Sequence, residues 1–118
     1  MAVKDLSELC CKVDRFLKEF KNLLDERKNY PIRLHNKNED TIRRLGLTRM
    51  NCIDVLYSLT TENFHAGPKP DKYKEGNYWE FGTEVEGNPI YIKIKIASDK
   101  YGNEWPVCFS FHDPEFPL

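Results

Sequence analysis

No stretch of this chain approaches the ~20 consecutive apolar residues that a membrane helix needs, and the mean hydropathy is −0.66. The N-terminal MAVKDLSELCCKVDRF has neither a signal peptide's apolar run nor its small-residue cleavage site. The expected location is therefore the cytoplasm, with no membrane partner. Charge of one sign is also missing. Eighteen basic and 19 acidic side chains leave a formal net charge of −1, which does not advertise a polyanion binder. Any anion site must be a local arrangement, because residues 1–60 carry net +3 and residues 61–118 net −4. Cysteine is sparse, at 10, 11, 52 and 108. No CxxC occurs, and neighbours on a helix point about 100° apart, so Cys10 and Cys11 do not clip a metal together. In a reducing compartment these thiols read as small hydrophobes. Glycine-rich phosphate loops, dinucleotide fingerprints, serine–histidine motifs, repeats and low-complexity tracts are absent as well.

What is present is one domain's worth of chain, residues 1–118, long enough for a single core. Apolar residues recur at three- and four-residue steps over 6–24 (Leu6, Leu9, Val13, Phe16, Leu17, Phe20, Leu24), predicting an amphipathic helix capped by Asp5 or Ser7. Tyr30–His35 alternates and predicts a short strand with Ile32 and Leu34 facing the core. Two short helices are expected next. One spans 39–45, capped by Asn38 and stopped by Gly46. The other spans 49–58, capped by Thr48, with Met50, Ile53, Leu56 and Tyr57 inward. Residues 60–76, with two prolines and two glycines, read as a long loop of the kind that often carries function. Strands are expected at 77–85, within PIYIKIKI (89–96) and at 107–112. The fold class is α+β: an N-terminal helix and two short helices packed on a twisted antiparallel sheet.

In PIYIKIKI isoleucine fills every second place, with Tyr91, Lys93 and Lys95 between. A hairpin turning at 86–89 places Val85 opposite Ile90, Thr83 opposite Ile92, Phe81 opposite Ile94 and Trp79 opposite Ile96, all compatible with a core. A second hairpin places Val107, Phe109 and Phe111 on the same face. The other face then gathers Tyr91, Lys93, Lys95, Cys108, Ser110, His112, Glu80 and Glu84. Burial of a large apolar side chain, about 1.5–3 kcal/mol each, argues against a one-residue slip that would put Phe109 among the lysines. The plain alternative is a solvated sheet face with cross-strand Glu–Lys pairs. Against it stands the chemical variety of acid, amine, phenol and imidazole. Lysines hold phosphate as point charges, and a histidine gives or takes a proton near neutrality. A tyrosine serves as acid or base if ammonium neighbours lower its pKa. Such a set suits RNA cleavage without a metal: a base takes the 2′-hydroxyl proton, cations stabilise the phosphorane, and an acid protonates the leaving oxygen. His65, Lys69 and Lys72 in the expected loop are placed to reach over this platform, whereas His35 reads as structural.

The phrases LTTENFHAGPKPD, WEFGTEVEGNPIYIKIKI and CFSFHDPEFPL, in this order after a helix, a short strand and two helices, resemble the MqsR family of toxins from bacterial type II toxin–antitoxin systems. The similarity runs from about residue 30 onward and is strongest after 59. It implies a RelE-like, microbial-ribonuclease-type fold and an mRNA interferase that needs no metal or other cofactor. It also implies mRNA as substrate and a cognate antitoxin as partner, and it allows a homodimer. The family's active tyrosine maps onto Tyr91, and its final-strand lysine falls on His112. Its third lysine meets His65 and Ala66, with Lys69 shortly after. The residues so nominated are Tyr91, His112 and Lys93 for catalysis, with Lys95, His65, Lys69 and Lys72 for RNA binding. A non-catalytic RNA- or protein-binding module using the same face is the rival reading.

Overall fold

Among the described residues, three helices precede all the strands of the sheet. The computed structural model describes residues 3–27 and 30–115, with side chains from Ser7 onward in the first helix. Helix α1 spans Val3–Arg27, α2 Asn36–Arg44 and α3 Arg49–Ser58. A single 3₁₀ turn, Thr61–Asn63, leads into strands β1 (Phe64–Pro70), β2 (Asn77–Val85), β3 (Asn88–Ser98) and β4 (Glu104–His112). The strands form one antiparallel sheet in the order β1-β2-β3-β4, and the expected α+β arrangement is the one observed. Leu6 and the proposed Asp5 cap lie outside the described side chains, as do residues 116–118 of the tail. Ser7 sits inside α1, not at its start.

The helical periodicity of α1 buries Val13, Phe16, Leu17, Phe20 and Leu24. Phe16 stacks on Trp79 of β2 with ring centroids 4.9 Å apart. Below them Phe81, Ile90, Ile92, Ile94 and Phe111 complete a core on one side of the sheet. Helix α3 starts as expected. The Thr48 hydroxyl accepts from the Asn51 backbone N–H and the Asn51 side chain accepts from the Thr48 N–H, each at 3.0 Å, satisfying two N–H groups that a helix start leaves unpaired. Its buried residues are Cys52 and Leu56. Met50, expected inward, is 62% exposed, because the i, i+4 pair of Cys52 and Leu56 defines the inward stripe.

The 30–35 segment differs from expectation. It meets β4 at one parallel bridge, Ile32 with Cys108, and then turns into α2. Ile32 is buried, but Leu34, past the bridge and without a sheet to lie on, is 62% exposed. Helix α2 begins earlier than expected, so Asn38 is inside it and buried, not at its cap. Its amide donates to the carbonyls of Arg33 and Phe109 at 2.9 Å, and its Oδ1 accepts from the Phe111 N–H at 2.8 Å. Asn38 thus ties the 30–35 segment and β4 to α2.

The expected loop at 60–76 is mostly ordered structure. FHAGPKP does not alternate, yet it forms β1, an edge strand with register irregularities on either side of Ala66. Prolines are tolerated there because the outer row of an edge strand needs no ladder partner. Gly67 has φ +127, and a Cβ at this position would lie 2.9 Å from the Tyr78 carbonyl oxygen. The residue therefore has to be glycine for β1 to approach β2.

Register is where sequence and structure part most usefully. Glu86 and Gly87 both have positive φ, making a two-residue turn in place of a four-residue one. The pairing becomes Thr83↔Ile90, Phe81↔Ile92 and Trp79↔Ile94. This is a two-residue slip, and it leaves both faces as expected because side chains alternate with period two. On the other hairpin the pairs Tyr91↔His112, Ile92↔Phe111 and Lys93↔Ser110 keep these residues on their expected faces. A bulge then follows, with Ile94 opposite Cys108 and Lys95 opposite Val107. Phe109 is the extra residue. It leaves the core for the lysine-bearing face, and Cys108 takes the buried place. The burial argument against this position fails because Tyr78 supplies an apolar neighbour there, ring centroids 4.8 Å apart. The Arg33 guanidinium covers the Phe109 ring at 5.5 Å.

Candidate active site on the open sheet face

The sheet face turned away from α1 carries Tyr78 and Glu80 from β2, Tyr91, Lys93 and Lys95 from β3, and Ser110 and His112 from β4, as the cross-strand pairs Glu80↔Lys93, Lys93↔Ser110 and Tyr91↔His112 require. Gly82 stands opposite Tyr91. With no side chain there, the phenol lies across β2, and its hydroxyl donates to Glu80 Oε1 at 2.5 Å. Lys69 reaches in from β1 and sets its Nζ 2.7 Å from Glu80 Oε2. Glu80 is only 6% exposed. The Tyr91 and His112 rings are neighbours, with centroids 5.6 Å apart. The structure thus brings together Tyr91, His112, Lys93 and Glu80.

Protonation follows from these contacts. Burial raises the Tyr91 pKa above its ordinary value, and the hydrogen bond to Glu80 raises it further. The lowering by ammonium neighbours on which an acid–base role was made conditional does not occur, because each lysine is engaged elsewhere. Lys93 Nζ sits 4.4 Å over the Tyr78 ring, Lys95 pairs with Asp71, and Lys69 pairs with Glu80. Tyr91 therefore keeps its proton and acts as a donor. Burial works against the Glu80 carboxylate, but hydrogen bonds from Lys69 and Tyr91 outweigh it and hold the group below its usual range. His112, 8% exposed, has Nδ1 2.8 Å from the Asp113 carbonyl oxygen. A carbonyl only accepts, so Nδ1 carries the proton and Nε2 is the basic atom. The Arg44 guanidinium beside Asp113 holds that carboxylate's pKa down through two bonds of 2.5 and 2.7 Å.

Lys95 has a different place from the one expected. It is buried, its Nζ 2.7 Å from both Asp71 Oδ2 and the Glu75 carbonyl oxygen, so it anchors the 71–76 turn and does not present its charge to a phosphate. The Asp71 carboxylate is held well below the ordinary range, first by Lys95 and then by the Tyr73 backbone N–H. Lys69, Lys72 and Lys93 line a cleft of about 780 Å³ whose walls include Tyr73, Tyr78 and Phe109. His65 is exposed on β1 and lines a separate recess beside Gly82 and Glu84. Cys108, expected on the face of His112, lies in the core because of the bulge.

Three neighbours of the site were not nominated from the sequence: His35 reads as structural, Phe109 as core, and Tyr78 goes unnamed. His35 stands with its ring 6.4 Å from that of His112, and its Nε2 donates to the Phe109 carbonyl at 2.8 Å. No spacing rule shows this, since it depends on the single bridge at Ile32. Phe109 is exposed to this face by the bulge. Tyr78 was legible: it alternates with Glu80 and belongs to the same face. No family model, curated protein or solved structure matches the chain, so the site's own geometry carries the functional argument.

Proposed function

We propose that the protein is a metal-independent endoribonuclease acting on mRNA in the cytoplasm, the toxin of a toxin–antitoxin pair with an MqsR-like active face on a RelE-like fold. The observation that carries this reading is the side-by-side placement of Tyr91 and His112 on one open sheet face, with Lys93 next along β3. His112 Nε2 takes the proton from the 2′-hydroxyl of the nucleotide on the 5′ side of the scissile bond. The resulting oxygen attacks the phosphorus, and Lys93 stabilises the added negative charge of the phosphorane. Tyr91, which retains its proton, gives it to the departing 5′-oxygen, yielding a 2′,3′-cyclic phosphate and a 5′-hydroxyl. In the free protein the Tyr91 hydroxyl is donated to Glu80; the bound phosphate competes for it.

The test is incubation of purified protein with single-stranded RNA in EDTA. Cleavage with a cyclic-phosphate end is expected. Tyr91→Phe and His112→Ala should each lose about 10²-fold or more, the scale of general acid–base help. RNA left intact by folded wild-type protein refutes the assignment. One feature favours the rival reading of a non-catalytic binding face: His112 is nearly covered. That reading predicts binding without cleavage, sensitive to Lys93→Ala and indifferent to His112→Ala. In a bacterial host, the toxin reading predicts growth arrest relieved by the product of a neighbouring antitoxin gene.

A further inference from the structure

We propose that the cleft between the 71–76 turn and the β2–β4 wall is a nucleobase-binding subsite, which holds a nucleotide adjacent to the one cut at Tyr91 and His112. The inference rests on the ribonuclease reading for its substrate and goes beyond it in naming where the strand is gripped. Tyr78 and Phe109 meet edge to face at 4.8 Å and form one aromatic wall. Across the opening stands Tyr73, 91% exposed, on the same cleft. A ring so exposed has no packing role of its own. The turn that presents it is fixed. Asp71 Oδ1 accepts from the N–H groups of Tyr73 and Lys74 at 2.9 and 3.3 Å, and Lys95 clamps Asp71 Oδ2 and the Glu75 carbonyl from beneath.

The charges around the slot have one sign. Lys72 and Lys93 line it, while the carboxylate of Asp71 is neutralised by Lys95 and the ammonium of Lys69 is paired with Glu80. Aromatic faces bordered by ammonium groups, with no uncommitted acid between them, fit a ligand that is flat, aromatic and anionic: a base with its phosphate. The volume, about 780 Å³, lies within the range of small-ligand sites. Lys93 connects the two centres. It lines the cleft and is two residues from Tyr91 on β3, about 7 Å along the strand. An extended RNA whose phosphate reaches Tyr91 and His112 therefore delivers a neighbouring base to the exposed ring of Tyr73, while Lys93 Nζ lies 4.4 Å over the ring of Tyr78 behind it.

The test separates gripping from cutting. A 2′-O-methyl hexaribonucleotide, which cannot be cleaved, is titrated against wild type, Tyr73→Ala, Tyr73→Phe and Lys72→Ala by fluorescence anisotropy, and unmodified RNA is assayed for cleavage in parallel. Both altered residues are exposed, and circular dichroism checks that each variant is folded. Tyr73→Ala should weaken binding at least about fivefold, the lower end of base–aromatic stacking. Tyr73→Phe should stay within about twofold, because the ring and not the hydroxyl stacks. Lys72→Ala should weaken binding and flatten its salt dependence. Wild-type affinity in Tyr73→Ala, with unmodified RNA still cut, overturns the subsite and leaves the nuclease standing. Tyr73-dependent binding with no cutting supports the cleft and removes the nuclease. A wild type that does not bind the hexanucleotide overturns the subsite outright.

Discussion

Lys95 shows how one residue's role turns on what lies above it. In the sequence it is the third polar residue of an alternating strand, equivalent to Tyr91 and Lys93. In the fold the 71–76 turn lies on it, close enough that a Cβ on Gly76 would sit 3.4 Å from Lys95 Cε. A charge taken from water needs a partner with good geometry, and Asp71 provides it at 2.7 Å. Lys95→Met should therefore lower the melting temperature by stranding Asp71, and Asp71→Asn should lower it by stranding the ammonium. The double variant should lose clearly less than the sum of the two, which a double-mutant cycle from thermal or urea unfolding measures. Additive losses would mean that the pair does not hold the turn. Tyr91 shows the opposite case, a residue whose position was legible but whose protonation was not. Its place on the polar face followed from alternation. The sign of its pKa shift depended on which way three lysines turned.

At the scale of elements, the β4 bulge decides the character of the site. It moves Phe109 to the open face, sends Cys108 to the core, and turns the Phe109 carbonyl toward the side chains of His35 and Asn38. Asn38 holds the bulge by bonding to the carbonyl of Phe109 in it and to the N–H of Phe111 just beyond it. Asn38→Ala removes three hydrogen bonds and leaves the Phe111 N–H and the Arg33 carbonyl without that partner. At roughly 1–3 kcal/mol for each group so stranded, about 2–6 kcal/mol of stability should be lost, read from the urea midpoint at unchanged slope. A loss under about 1 kcal/mol would show that the bulge stands without it. The helix pattern of α1, the Thr48 cap of α3 and the alternation of β3 were all readable because each is a local signal repeated over several residues. The strand β1 was not. FHAGPKP carries glycine and two prolines, and only an already formed β2 edge makes it a strand.

For the whole molecule, the shifted groups set a pH window. Asp71 and Glu80 have folded-state pKa values below their ordinary ones, so the unfolded chain binds more protons as acid is added. Their stabilisation is present above the ordinary carboxylate range, near pH 4, and is lost as pH falls through the folded values. Burial raises the Cys52 and Cys108 thiols and the Tyr30, Tyr78 and Tyr91 phenols. Their contribution is complete below the unfolded values, about 8.5 for thiols and 10 for phenols, and declines as pH rises beyond them. The melting temperature should therefore form a plateau between about pH 5 and 8 and fall on both sides. A melting temperature still rising between pH 5 and pH 3 would contradict the acid limb. Among the described residues no helix is long and apolar enough to cross a membrane.

The sequence by itself determined the α+β class, the three helices, three of the four strands and, except in β4 beyond its bulge, the identity of the two sheet faces. These depend on periodicity, and periodicity survives even a two-residue slip in register. Tertiary structure alone decided which polar residues of the open face remain accessible, which are sealed into ion pairs, that Phe109 joins them and that His35 stands beside them. Those outcomes depend on a single bulge, a two-residue turn and a loop folding back onto Lys95. Each is a contact between segments far apart in the chain, and local pattern carries no record of which distant surface will cover a given side chain.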